Sequence, residues 1–142
     1  MTPFPEKDQQ RIIAAIGQAE LATSGEIRVH IEANCPDADP VARAFVVFEK
    51  LGMRQTADHN GVLFYVATAD RKFAIVGDGG IDAKVPGDFW ESTKDLLRQH
   101  FSAGDMVEGL CQGIERAGEQ LKQYFPRATD DKNELSDTIS FE

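Results

Sequence analysis

The segment 62–67 constrains the fold of this chain more than any other part of its sequence. It reads Val-Leu-Phe-Tyr-Val-Ala, so a β-strand here carries apolar side chains on both of its faces. A strand of this kind is buried between two layers of structure. After a short turn at 68–71, the apolar segment 72–76 predicts a second strand. The two segments together predict a β-hairpin at the centre of a layered α/β domain.

The segments before the hairpin predict one more strand and two helices. Residues 6–22 carry apolar side chains at helical spacing, and residues 27–32 alternate between apolar and polar side chains. The alternation predicts a strand with one buried face and one polar face. A second helix is predicted to begin at Pro40, after Asp39 as its N-cap, and to end near Gly52. Its predicted inward-facing side chains are Val41, Phe45, Phe48 and Leu51.

The segments after the hairpin complete the predicted architecture. Apolar spacing predicts helices at 88–101 and 105–124, which gives the element order α-β-α-β-β-α-α. Helices on both faces of a small mixed β-sheet bury its central strands, so the predicted fold is a three-layer α/β/α sandwich of the α/β class. The domain is predicted to cover residues 1–125, and the polar, acidic segment 126–142 is predicted to be a mobile C-terminal tail. The alternative is that its apolar residues Leu135, Ile139 and Phe141 dock on the domain.

The charge of the chain bears on its partners. The formal net charge is −9, and a field of this sign repels nucleic acid and attracts divalent cations. No apolar run approaches the ~20 residues that span a bilayer, so membrane insertion is not expected. Residues 1–10 lack the basic start and apolar stretch of a signal peptide. These observations predict a cytoplasmic protein that does not bind nucleic acid.

The predicted topology brings several polar residues to one end of the sheet. The strands of a hairpin are antiparallel, so the loop that enters the first lies beside the loop that leaves the second. If strand 27–32 runs parallel to strand 62–67, as a helical crossover favours, its start lies at the same end. The polar residues expected to converge there are Ser24, Glu26, Asp58, His59, Asn60, Asp78 and Asp82.

Carboxylate, amide and carbonyl oxygens are the ligands that Ca²⁺ takes from irregular loops. The predicted metal ligands are Asp78, Asp82, Asp58, Asn60 and Glu26. The alternative is that Asp78-Gly79-Gly80 and Asn60-Gly61 are ordinary turns. A second location also stays open, because ligands of parallel α/β sheets usually lie beyond the carboxyl ends of the strands. The polar residues at that end are Asp37, Asp39, Asp70 and Arg71.

Other motifs give weaker indications of chemistry. Cys35 and Cys111 lie too far apart in sequence to form a zinc or redox motif. The segment 37–41, Asp-Ala-Asp-Pro-Val, matches the pattern of aspartate-nucleophile phosphatases. However, residues 34–36 separate it from the preceding strand, and Asp39 is already predicted to cap a helix.

Three segments taken together resemble the TPM domain family. They are 23–27 (Thr-Ser-Gly-Glu-Ile), 60–63 (Asn-Gly-Val-Leu) leading to 70–72 (Asp-Arg-Lys), and 76–81 (Val-Gly-Asp-Gly-Gly-Ile). The family includes thylakoid-lumen proteins linked to photosystem II repair and many bacterial proteins. The segment 131–135 is similar to the ending of its small stand-alone bacterial members. The resemblance covers about residues 6–125.

The resemblance implies an α/β/α fold, Ca²⁺ binding and, for some members, an acid phosphatase activity. Members of the family often have aspartate directly before the Asn-Gly pair, whereas here His59 stands there and Asp58 comes one residue earlier. The resemblance assigns no catalytic residue to this chain, and no strong nucleophile or base is visible in the sequence.

The predicted function is therefore binding of a divalent metal ion, Ca²⁺ with Mg²⁺ as the alternative, in a domain that stabilises or regulates a protein partner. A metal-dependent phosphomonoesterase and a metal-free interaction scaffold are the other two hypotheses.

Overall fold

The computed structural model describes residues 4–56, 59–127 and 139–141. Its elements in chain order are α1 (Glu6–Ala22), β1 (Glu26–Glu32), α2 (Pro40–Lys50), β2 (Gly61–Ala67), β3 (Lys72–Gly77), α3 (Gly79–Asp82), α4 (Glu91–Ser102), α5 (Met106–Leu121) and β4 (Ser140–Phe141). No helix within the described residues is both long enough and apolar enough to cross a bilayer.

Strand β2 lies at the centre of the fold, as the sequence predicts. All 7 of its residues are buried. Val62, Phe64 and Val66 pack into a core with α1, α4 and α5 on one face of the sheet. Leu63, Tyr65 and Ala67 pack with α2 on the other face. The predicted α/β/α sandwich is therefore confirmed.

The sheet has the order β3-β2-β1-β4 and is mixed. Strand β1 pairs parallel with β2, while β2 and β3 form the predicted antiparallel hairpin. Consequently β1 and β2 begin at the same end of the sheet at which β3 ends. We call this end the amino edge and the opposite end the carboxyl edge.

Two short elements differ from the predictions. The one-turn helix α3 forms at Asp78-Gly79-Gly80, where the sequence indicates only a turn or a loop, because the side chain of Asp78 caps it by accepting from the Gly79 amide. At the other end of the chain, β4 pairs parallel with β1. It belongs to the predicted tail 126–142, of which residues 128–138 and 142 lie outside the described residues. The division of the chain at residue 125 remains a prediction.

The side chains of α2 do not all face as predicted. Phe48 is buried against the sheet, but Val41 and Phe45 are 42% and 37% exposed. Ala44 and Val47 occupy the buried positions instead. The helix is thus rotated relative to the prediction.

The predicted polar face of β1 is also buried, which corrects the sequence analysis. His30 and Glu32 are only 1% and 5% exposed. The two oxygens of Glu32 accept from Arg43 Nε at 2.9 Å and Arg43 Nη2 at 2.8 Å, and from the Tyr65 hydroxyl and His30 Nε2. On its other side, His30 Nδ1 lies 3.0 Å from the Ser140 hydroxyl of β4. This network satisfies the buried charge, which is why a polar face can be buried here.

Burial alone would raise the pKa of Glu32, but the hydrogen bonds from Arg43, Tyr65 and His30 outweigh it and lower the pKa to about 2. A carboxylate with a lowered pKa stabilises the fold above its unfolded-state pKa of 4.5. That contribution is lost as the pH falls from there towards 2.

We expect the Glu32 network to make the free energy of unfolding decrease as the pH falls from about 4.5 towards 2. Tyr65→Phe removes one donor, so it should cost about 1–2 kcal/mol at pH 7 and make the acid-induced loss shallower. Urea denaturation of both proteins at several pH values measures this. Parallel pH profiles for the two proteins would contradict the assignment.

Candidate functional site

Three loops are held together at the amino edge by backbone hydrogen bonds. The Glu26 amide donates to the carbonyl of Asn60 at 3.2 Å, which joins the start of β1 to the loop before β2. The Asp78 amide donates to the carbonyl of Gly61 at 2.9 Å, and the Gly80 amide donates to that of His59 at 2.9 Å. The topology thus brings the three predicted segments together.

The loop before β2 is tightly packed where it enters the strand. A Cβ atom at Gly61 would lie 2.9 Å from the backbone carbonyl of Met53, so a side chain there would collide with the loop. His59 has a positive φ of 50°, a backbone conformation that non-glycine residues seldom adopt and that is often found at functional sites. The Asn60 amide donates to Thr56 Oγ1 at 3.2 Å, and its side chain donates to Ser24 Oγ at 3.3 Å. These contacts hold His59 and Asn60 beside β1 and β3.

The two oxygens of the Asp78 carboxylate have different surroundings. Asp78 is 3% exposed. Its Oδ1 accepts from the Gly79 amide at 2.7 Å and from Arg54 Nη1 at 2.8 Å. Its Oδ2 is buried and accepts no hydrogen bond from any described residue, with His59 Nδ1 lying 3.5 Å away. A buried carboxylate oxygen without a donor is costly, so this atom fits a role as a ligand for a cation.

Arg54 is the residue at this edge that the sequence analysis missed. It contacts Glu49, and its guanidinium carbon lies 5.3 Å from the centre of the Phe48 ring. Its hydrogen bond to Glu49 raises the pKa of Arg54, and the nearby charge of Asp78 adds to the effect. Arg54 lies in a loop whose sequence has no hydropathy periodicity, and it precedes its partner Asp78 by 24 residues. The one available signal was a basic residue in the loop predicted to approach Asp78.

The predicted metal ligands differ in their burial. Asp78, Asn60 and Glu26 are buried at the amino edge. Asp82 is exposed in α3, and Asp58 lies outside the described residues. Within the described part of the chain, no three His, Cys, Asp or Glu side chains are grouped so that they could hold a metal ion. A cation here would therefore need amide, backbone or water oxygens, or ligands from outside that part.

At the carboxyl edge, by contrast, the aspartates have structural hydrogen bonds. Asp70 accepts from the Cys35 amide at 2.7 Å and from the Asn34 side chain at 3.1 Å, and these two bonds lower its pKa. Asp39 caps α2 by accepting from the Val41 amide at 2.9 Å, and Asp37 accepts from the Asp39 amide at 3.1 Å. These hydrogen bonds satisfy the three carboxylates, which therefore need no bound ligand. The amino edge is thus the better candidate site.

An open depression of about 410 Å³ adjoins the amino-edge loops. Ser24 and Gly80 line it on the side of the loops, and Lys84, Tyr124 and Phe125 line it elsewhere. The Lys84 ammonium lies over the Phe125 ring, 4.7 Å from its centre. The depression therefore offers an apolar wall with one cationic group.

Comparison with solved structures supports the same architecture. The chain is similar to the BA42 protein from the psychrophilic bacterium Bizionia argentinensis, with 43% identity, a TM-score of 0.93, and coverage of 99% of this chain and 97% of that one. The N-terminal domain of the cg2496 protein from Corynebacterium glutamicum shares the fold at 14% identity, with a TM-score of 0.65 and coverage of 96% and 80%. The N-terminal domain of a P. gingivalis protein does so at 18% identity, with a TM-score of 0.69 and coverage of 86% and 78%.

No curated protein sequence matches the chain. The TPM domain family, however, matches residues 4–120, which is most of the length and includes all three amino-edge loops. The resemblance carried by those loops is thereby confirmed, and the chain belongs to the TPM domain family.

Proposed function

We propose that this protein binds a divalent cation at the amino edge of its sheet, with Ca²⁺ preferred over Mg²⁺. The observation that carries the proposal is Asp78 Oδ2, a buried carboxylate oxygen that accepts no hydrogen bond from the described residues. A divalent ion would supply the missing partner and would also offset the negative charge gathered at this edge.

The remaining ligands would be oxygens of the surrounding loops. Ca²⁺ takes six to eight oxygens in flexible geometries, whereas Mg²⁺ demands a near-ideal octahedron. Irregular loops with backbone carbonyls therefore favour Ca²⁺. The side chains that would join Asp78 are those of Asn60, Glu26, Asp82 and Asp58.

Binding would strengthen the contacts among the three loops, because an ion bound only by the folded state adds to its stability. We expect this stabilising or regulatory effect to serve a protein partner in the cytoplasm; both the partner and the location remain predictions from the sequence.

Calorimetric titration of the chelator-stripped protein with Ca²⁺, and separately with Mg²⁺, tests the proposal. We expect saturable Ca²⁺ binding that Asp78→Asn weakens by at least about tenfold, since the substitution removes the charge of a carboxylate whose buried Oδ2 accepts no hydrogen bond from the described residues. Asp70→Asn is the matched control, because it removes the same charge at the carboxyl edge and should leave the affinity nearly unchanged.

Two results would count against a site at Asp78. One is the absence of binding at millimolar Ca²⁺ in a folded protein. The other is an equal loss of affinity in Asp78→Asn and Asp70→Asn, which would indicate a general effect of net charge.

A phosphomonoesterase is the second candidate, and a specific observation favours it. The side chains of Arg54 and His59 are 48% and 64% exposed, and both lie against Asp78. A guanidinium can bind phosphate oxygens, and an imidazole oriented by a carboxylate can protonate a leaving alcohol. A bound divalent ion would clamp phosphate oxygens and activate the attacking water. Lys84 in the adjoining depression would attract the anionic substrate.

Hydrolysis of an aryl phosphate with and without Ca²⁺ or Mg²⁺ tests this candidate. If His59 is the general acid, His59→Asn should lower kcat/KM by about 10²-fold or more without unfolding the protein. His100→Asn removes a histidine remote from these loops and should retain activity. Turnover at the background rate in the unsubstituted protein would remove the enzyme hypothesis and leave metal binding intact. The absence of both properties would leave the metal-free scaffold.

A further inference from the structure

We infer that Arg54 is a built-in competitor for the proposed cation, occupying Asp78 in the metal-free protein and giving way when the ion binds. The inference rests on the proposed function and concerns how the affinity of that site is set. Its basis is the position of one guanidinium between two carboxylates, one of them buried and the other exposed.

The buried charge of Asp78 needs a counter-ion whether or not a metal is bound. The Asp78 side chain is 3% exposed, and an ionised carboxylate at that depth is stable only when it is paired. Arg54 Nη1, 2.8 Å from Oδ1, supplies the opposite charge. The Gly79 amide, at 2.7 Å from the same oxygen, adds a hydrogen bond but no net charge. Arg54 is thus the described residue that neutralises Asp78 most directly.

A cation on Oδ2 would lie within a few ångströms of that guanidinium, because the two oxygens belong to the same carboxylate. Two like charges so close repel each other. Each therefore weakens the binding of the other to Asp78. The affinity of the site for a divalent ion must then depend on how readily Arg54 withdraws.

Arg54 has other contacts that it can keep when it leaves Asp78. Its other partner, Glu49, has a side chain that is 58% exposed, and the Arg54 side chain itself is 48% exposed. The guanidinium also lies over the Phe48 ring. Arg54 can therefore leave Asp78 and keep its contacts with Glu49, Phe48 and water. Since both arrangements satisfy the guanidinium, the exchange requires no rearrangement of the core.

The test compares four proteins by Ca²⁺ calorimetry. Arg54→Gln retains a hydrogen-bond donor for Oδ1 but removes the charge, and we expect it to bind Ca²⁺ at least tenfold more tightly than the unsubstituted protein. Arg54→Lys keeps the charge and should stay within about threefold of it. Arg98→Gln makes the same change in net charge in α4, where Arg98 pairs with Asp95, and should also stay close to the starting affinity.

A thermal melt of the same proteins gives a readout independent of affinity. Without metal, Arg54→Gln should melt at a lower temperature than the unsubstituted protein, because Asp78 has lost its counter-ion. Saturating Ca²⁺ should raise its melting temperature more than it raises that of the unsubstituted protein. The double variant Arg54→Gln with Asp78→Asn should lose this response to Ca²⁺.

The results separate the inference from the proposed function. Measurable Ca²⁺ binding by the unsubstituted protein, and tighter binding in Arg54→Gln that depends on Asp78, support both. If the unsubstituted protein binds Ca²⁺ and Arg54→Gln binds it equally or more weakly, the competitor role is overturned and the metal site remains. If neither protein binds Ca²⁺ while both are folded, the proposed function fails and the inference falls with it.

Discussion

The burial of β2 on both faces is the constraint on which the rest of this structure depends. A strand with no solvent-facing side needs one neighbour along each edge and a layer over each face. The crossover helix α2 makes its β1 neighbour parallel, and the short turn at 68–71 makes its β3 neighbour antiparallel. This combination places two strand starts and one strand end at the amino edge. The polar loops meet at the amino edge because they are attached to these strand ends.

Two buried carboxylates, those of Glu32 and Asp78, differ in how many of their oxygens accept hydrogen bonds. Glu32 accepts hydrogen bonds on both oxygens from Arg43, Tyr65 and His30. Asp78 is buried to a similar depth, but its donors converge on one oxygen. A fully bonded buried carboxylate holds elements together, whereas a half-bonded one has capacity for another partner. The contrast is the physical basis for proposing a cation site at the amino edge.

The parts of the fold that follow from hydropathy could be predicted, and the parts that depend on individual polar contacts could not. The apolar runs at 62–67 and 72–76 and the crossover at 40–51 are sufficient to predict the hairpin, the parallel pairing and the layers. The alternation of β1 predicts a solvent-facing polar face, and this prediction is wrong. A polar face can be buried when its side chains bond to one another, and residue spacing does not reveal such a network. Helix α3 and strand β4 are too short to show a period.

The candidate site also has features that could be predicted from the sequence and features that could not. Topology predicted that Asn60 and Glu26 would come close to Asp78, because the register of paired strands carries loops with it. The asymmetry of the Asp78 carboxylate and the intervention of Arg54 depend on side-chain geometry within an irregular loop. No periodic signal describes that loop. The sequence shows a basic residue in this loop, but it does not show that this residue contacts both Glu49 and Asp78.

The most direct test of the account locates the cation rather than measuring its affinity. Mn²⁺ prefers the same oxygen ligands and is paramagnetic, so it broadens the NMR signals of the amides nearest to it. A titration of the ¹⁵N-labelled protein with substoichiometric Mn²⁺, reversed by excess Ca²⁺, should broaden signals from residues 59–61 and 77–82 first. Broadening that begins at residues 34–39 and 70–72, or that spreads evenly over the acidic surface, would contradict a site at Asp78.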